Sequence, residues 1–210
     1  MQIKTFHFNK FIENTYLVWD ETNECIIIDA GNSTDQENVF LQKHIDENNL
    51  KPVAVLNTHC HIDHILGIIF LQEKYGIEFW ANKNDQYLLD NTPQMAEIYG
   101  FNMSKIPQIN KNITEKDVIK FGNTELKVLE VPGHCSGHLA FYNDKNKAIF
   151  TGDVLFKETI GRTDLPGGDL DKLLDSIKNK IFTLDSNYTV FPGHGEHTSI
   201  RHEIANNPFF

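Results

Sequence analysis

A chain of 210 residues, 40% of them hydrophobic and 23% charged, is long for one ordinary domain and short for two, so a single large or internally duplicated domain over residues 1–210 is expected. A formal net charge of −10 without a compensating Lys/Arg stripe argues against a nucleic-acid partner, and no apolar run approaches the roughly 20 residues of a membrane span. The odd set Cys25, Cys60 and Cys135 and an N-terminus, MQIKTFHFNKF, that alternates like a strand instead of an export signal predict a cytoplasmic protein whose reduced thiols fill space.

In chain order, short apolar strands read at residues 2–8, 14–19 and 25–28, followed by a helix over 35–48. VAVLN (53–57) reads as a buried strand, and HILGIIFLQEKYG (64–76) as a helix with too many apolar residues for one exposed face. After EFW (78–80), residues 84–112 are polar with weak periodicity and predict a helix and a long surface loop. Strands resume at 118–121, 126–131, 139–142 and 148–152. A helix over 169–182 carries Leu170, Leu173, Leu174, Ile177 and Ile181 on one stripe; YTVF (188–191) and a short C-terminal helix close the chain. Runs of strands with helices between them, twice over, predict an α/β or α+β fold with two sheets packed face to face and helices outside.

Histidine and aspartate cluster directly after four of these strands. VAVLN leads into THCHIDH, with His59, His61, Asp63 and His64; LKVLEV leads into Pro132, Gly133 and His134. AIFTG leads into Asp153, and YTVF into Pro192, Gly193 and His194. Strand ends lying side by side deliver their loops to one rim of a sheet, and neutral imidazole with carboxylate is the donor set that first-row divalent ions take. A lone histidine after Pro-Gly reads as a turn or cap, and H-x-H alone is weak. H-x-H-x-D-H with three further partners is specific. The expected set is His59, His61 and His134 on one ion, Asp63, His64 and His194 on a second, and Asp153 bridging, with positions left for a shared water. His138 and Asp29 are expected to support these ligands by hydrogen bonds, although Asp29 equally suits a turn before Gly31. His7, His44, His197 and His202 receive no role.

These motifs resemble the metallo-β-lactamase superfamily, and within it the glyoxalase II (hydroxyacylglutathione hydrolase) branch. THCHIDH is similar to its T-H-x-H-x-D-H, PGHCSGH to its P-G-H-x-x-G-H, TGD to its bridging aspartate and FPGHG to its last histidine, with IIIDAG extending the likeness upstream. The resemblance implies a four-layer αββα sandwich with a dinuclear site at the sheet edge. GRTDLPGGD (161–169) and the ending NPFF look like the short bacterial glyoxalase II-like hydrolases, which lack the added helical region that supplies much of the glutathione contact.

The implied reaction is hydrolysis of a thioester, S-D-lactoylglutathione or a related small-molecule acyl-thiol. Two divalent ions, zinc first and iron or manganese equally compatible with the donors, share a hydroxide that attacks the carbonyl. Asp63 both ligates and orients this nucleophile, so no serine or cysteine is required. Arg162 is expected either to pair with a substrate carboxylate or to hold the GRTD turn. The rival enzyme is a mono-iron persulfide dioxygenase using His59, His134 and Asp153; His138, where that branch tends to have cysteine, and FPGHG in place of its P-A-H-D-Y type of ending favour the hydrolase. A metal-binding or scaffold protein on the same fold is the non-enzyme alternative.

Overall fold

The computed structural model describes residues 1–210. The chain divides into two compact units, Met1–Ile113 with Lys120–Thr124, and Thr114–Ile119 with Glu125–Phe210. No helix is long and apolar enough to cross a membrane.

In the first unit β1 (Gln2–Phe8), β2 (Glu13–Trp19), β3 (Glu24–Ile28), β4 (Lys51–Leu56), β5 (Glu78–Ala81) and β6 (Lys111–Asn112) form one sheet in that order. The first three strands pair antiparallel, and β3 to β6 run parallel. Cys25–Ile28 and Ala54–Leu56 are buried without alternation, as strands covered on both faces are. Helix α1 (Asp35–Glu47) carries the chain from β3 to β4; it starts on a reciprocal cap between Thr34 and Glu37 and buries Leu41 and Ile45.

The helix expected over 64–76 starts late. Ile62–His64 is a 3₁₀ turn and α2 spans only Ile68–Tyr75. The Asn57 amide donates to the carbonyls of His59 (3.0 Å) and His64 (2.8 Å), which removes His64 O as a helical acceptor, and Ile68 N–H turns to Ile65 O instead. Gly67 also passes so close to Asn32 that a Cβ would stand 1.9 Å from its Oδ1. The polar stretch 84–112 contains α3 (Gln86–Tyr99), then irregular chain up to β6. Only Leu89, Thr92 and Ala96 of α3 are buried, which is why its periodicity is weak.

In the second unit the strands are β7 (Val118–Phe121), β8 (Thr124–Glu130), β9 (Leu139–Asn143), β10 (Ala148–Gly152), the hairpin β11 (Leu155–Phe156) and β12 (Thr159–Ile160), β13 (Thr189–Pro192) and β14 (Thr198–Ser199). The sheet order is β14-β13-β10-β9-β8-β7, with β10 and β13 parallel. Helix α4 (Leu170–Ser176) continues into a π turn at Ile177–Ile181, and α5 spans Ile200–Asn206. Of the stripe expected on 169–182, Leu173, Ile177 and Ile181 are fully buried, but Leu170, the first residue after the Asp169 cap, is 46% exposed.

The expected ligands all follow strand ends: β4 delivers residues 59–64, β8 delivers His134, β10 delivers Asp153 and β13 delivers His194. Helix α4 fixes the second of these loops. Asp169 N–H donates to Gly133 O (2.7 Å), and Ser176 Oγ donates to Pro132 O (2.7 Å). Gly133 lies at φ 138°, and a Cβ on it would stand 2.3 Å from the Leu173 N and Cα. Gly133→Ala is expected to lower stability by about 1–3 kcal/mol through backbone strain. A denaturant midpoint equal to that of the parent protein would show that the helix does not press on this loop.

Candidate metal centre

The first unit groups four expected ligands on the loop after β4. His59 and His64 are buried, their rings 4.2 Å apart between centroids, and His61 stands edge-on to His59 at 4.8 Å. Asp63 Oδ2 lies 3.6 Å from His64 Nε2. That separation is long for a hydrogen bond and close to the donor–donor edge of a tetrahedral ion, about 3.3–3.6 Å for ligands at roughly 2.0–2.2 Å.

Asp29 organises this loop. Its Oδ1 accepts from Thr58 N (2.7 Å), and its Oδ2 accepts from Thr58 Oγ1 (2.7 Å) and lies 3.2 Å from His64 Nδ1. Because the Thr58 hydroxyl spends its proton on Asp29, its oxygen accepts from His59 Nδ1 at 3.1 Å. One carboxylate thus makes His59 Nδ1 the donor through the Thr58 hydroxyl and faces His64 Nδ1 directly, which turns both Nε2 atoms away from it. Asp29 itself sits at φ 54°, a conformation that aspartate tolerates, so the turn reading and the supporting reading are both met by the same residue.

The second unit groups His134, Asp153 and His194. A single oxygen, Asp153 Oδ2, lies 3.8 Å from His134 Nε2 and 3.7 Å from His194 Nε2. His134 Nδ1–H donates to the Arg162 carbonyl at 2.7 Å, which sets the same tautomer as in the first unit. His138 is spent on structure at both nitrogens: Nδ1 faces Leu139 O at 3.0 Å, and Nε2 accepts the Asp153 amide at 3.1 Å. Asp153 is therefore held from its own backbone by His138.

Arg162 acts through two different groups. Its carbonyl orients His134, while its guanidinium makes a two-pronged pair with Asp164, Nε to Oδ1 at 2.8 Å and Nη2 to Oδ2 at 2.6 Å. The side chain thereby spans the GRTD turn on the exposed surface. The three cysteines are buried, and burial pushes the Cys60 thiol well up and the Cys25 thiol to about 12, so neither is a ready thiolate at neutral pH.

Several supporting residues escaped the sequence. Asn57 clamps the His59 and His64 carbonyls, and Asn9 Nδ2 donates to the carbonyls of Gly31 (2.9 Å) and Asp63 (3.0 Å). Glu13 is fully buried, with Oε2 accepting from Thr15 Oγ1 (2.8 Å) and Oε1 3.9 Å from His64 Nδ1. Burial pushes its carboxyl well above the usual range, which favours the protonated form. A Cβ on Gly31 would stand 2.0 Å from Glu13 Oε2, which explains the glycine of IIIDAG. A polar residue closing a buried apolar strand was the signal for Asn57; a glutamate on a strand carries none.

The model of the metallo-β-lactamase superfamily matches residues 9–194. The hydroxyacylglutathione hydrolase GloC of Haemophilus influenzae is 33% identical, with 100% of this chain and 98% of that protein aligned. Among solved structures, the BLEG-1 B3 metallo-β-lactamase superposes with a TM-score of 0.89 at 30% identity over 99% of both chains. TTHA1623, crystallised in a di-iron-bound form, superposes with a TM-score of 0.87 at 31% identity, covering 99% of this chain and 100% of its own.

The Arg162 fork also has a titration signature. The side-chain hydrogen bond from Arg162 lowers the Asp164 carboxyl from 3.8 to about 2. The folded value is depressed, so whatever the pair contributes is present above the unfolded value and is lost as pH falls through about 2. In Arg162→Ala, an NMR titration is expected to raise the Asp164 value from about 2 part of the way toward 3.8, the Asp164 backbone hydrogen bond still lowering it. A value still near 2 would mean that Arg162 is not the cause.

Proposed function

The chain belongs to the metallo-β-lactamase superfamily, and from that premise we propose that it is a two-metal hydrolase of small-molecule thioesters, of the hydroxyacylglutathione kind, acting in the cytoplasm. The observation that carries the metal reading is the tautomer of three histidines. Nδ1 of His59 and of His134 donates to an oxygen and Nδ1 of His64 faces Asp29, so in each ring Nε2 is the nitrogen left to bind a divalent ion. The donors are imidazole and carboxylate throughout, which fits zinc as well as the iron that TTHA1623 was crystallised with. The thioester reading draws on the name of the Haemophilus relative.

In this reading His59, His61 and His134 would hold one ion, Asp63, His64 and His194 the other, and Asp153 would serve both. Bound there, such ions supply a water of lowered pKa and a Lewis acid for the acyl oxygen. The remaining work belongs to the chain. Asp63 turns Oδ2 toward the His64 side, where its carboxylate would help to orient the water that attacks the acyl carbon. His138 and the Arg162 carbonyl keep Asp153 and His134 from swinging as charge moves. The Arg162 guanidinium pairs with Asp164 at the GRTD turn and, being solvent-exposed, can exchange that partner for a substrate carboxylate.

The test pairs metal content with two assays: hydrolysis of S-D-lactoylglutathione, and oxygen uptake with glutathione persulfide. Close to two ions per chain with thioester loss is the expected result, and Asp153→Asn should lower turnover by more than the 10–100-fold typical of supporting residues. One iron per chain with oxygen uptake would replace this reading with the persulfide dioxygenase, for which His59, His134 and Asp153 suffice. Asp29→Asn, which leaves Asp63 and Asp153 intact, is expected to weaken metal affinity by about 10–100-fold. Unchanged affinity in that variant would show that the Thr58–Asp29 relay does not set the tautomers.

A further inference from the structure

Outside the ligand loops, a buried carboxylate joins the segments that follow two of them. Glu203, on α5, is fully buried. Its Oε1 accepts from Thr198 Oγ1 (2.5 Å), four residues past His194. Its Oε2 accepts from the Glu158 amide (2.9 Å), five residues past Asp153, and from Asn207 Nδ2 (2.8 Å). Asn207 Nδ2 also donates to Thr159 O at 3.1 Å. Glu158 of the β11–β12 turn and Thr159, the first residue of β12, are therefore pinned, and Glu158 is held there at φ 59°.

This hairpin reaches each ligand of its unit. Beyond β12 the chain crosses Asp153 so closely that a Cβ on Gly161 would stand 1.8 Å from Asp153 O, and the next residue supplies the carbonyl that orients His134. On the other side Phe156 lies against the His194 ring, 6.4 Å between centroids. Burying a carboxylate is unfavourable unless its oxygens are hydrogen-bonded, and Glu203 has three neutral donors. A solvent-exposed pair, Lys157 with Glu196 at 2.6 Å, bridges the same two segments on the outside. Being exposed, it exerts little hold.

We propose that Glu203, assisted by Asn207, is a positioning residue of the metal centre, which fixes the spacing of Asp153 and His194 by tying the β11–β12 turn to β14. The proposal rests on the two-metal reading above. It also assigns a task to the Asn of the terminal NPFF, which the reaction itself leaves unused.

The experiment compares stepwise zinc affinity, by chelator competition, and the cobalt(II) d–d spectrum in the parent protein, Glu203→Ala, Glu203→Gln, Thr198→Val and Lys157→Ala, with circular dichroism to confirm folding. Glutamine keeps all three links, because its oxygen can face the Glu158 amide and Asn207 while its NH₂ donates to Thr198, whose hydroxyl accepts. Glu203→Ala is expected to lose about tenfold or more in affinity for at least one ion and to alter the cobalt spectrum, with glutamine within a few-fold of the parent. Thr198→Val, which removes one link and leaves the helix in place, should follow alanine in direction if Glu203→Ala does not fold. Lys157→Ala should match the parent. Parent-like affinity in both Glu203→Ala and Thr198→Val, or a loss in glutamine equal to that in alanine, would overturn the proposal. A parent protein that binds no metal would instead overturn the two-metal reading beneath it.

Discussion

Everything at this centre depends on what the far side of each imidazole touches. A neutral histidine has one protonated nitrogen and one lone pair, and the partner of the first decides where the second points. In the first unit that decision belongs to Asp29, which governs His64 directly and His59 through the Thr58 hydroxyl. In the second unit a main-chain carbonyl, that of Arg162, does the same for His134. Hydrogen bonds to a charged group contribute about 1.5–3 kcal/mol each, and a carboxylate as buried as Asp29 needs several to offset its lost hydration. The Thr58 amide and hydroxyl donate to it and the His64 ring lies 3.2 Å away, so the same contacts that offset the burial of Asp29 also orient the two histidines.

Bringing backbone this close to the ligands forces the choice of residue at a few points. Gly161 is the tightest, since no side chain fits between it and the Asp153 carbonyl. Gly31 is comparable: a Cβ there meets Glu13 Oε2 at 2.0 Å and Asp63 O at 2.7 Å. Asp29 takes a left-handed conformation without being glycine, which is tolerable for aspartate and places its carboxylate under the histidine loop. Local strain of this kind persists only where the surroundings hold it, and here the Asp29 amide is tied back to Leu56 O at 2.9 Å.

The legible part of the site was the part written in local order. Apolar strand, short turn, histidine or aspartate recurs four times, and a strand end dictates where the next residue goes, so the seven ligand-type positions followed from sequence. The helix over 64–76 was misjudged because apolar content alone does not reveal that Asn57 captures the carbonyls the helix would need. The role of Arg162 at His134 was invisible for a different reason: it belongs to the carbonyl, and every residue has one. Glu13 and Glu203 look like surface glutamates in sequence, and only the tertiary neighbours show them as fully buried. Two-residue strands such as β11, β12 and β14 are too short to display alternation, although they carry the hairpin and the edge that brace the second unit.

The ligand geometry within each unit is already close to what an ion would ask of it. Asp153 Oδ2 stands 3.7 and 3.8 Å from two imidazole nitrogens, and Asp63 Oδ2 stands 3.6 Å from a third. Left to themselves a carboxylate and an imidazole close to a hydrogen bond of about 2.7–3.2 Å. Here each histidine Nε2 lacks a proton to donate wherever Nδ1 carries it, so direct contact would set lone pair against lone pair. The Nδ1 acceptors therefore do two things at once. They aim the lone pairs, and they remove the proton that would let the donor atoms collapse onto one another. A centre held open in this way gives up little conformational freedom when an ion enters, so more of the ligand–ion attraction appears as affinity.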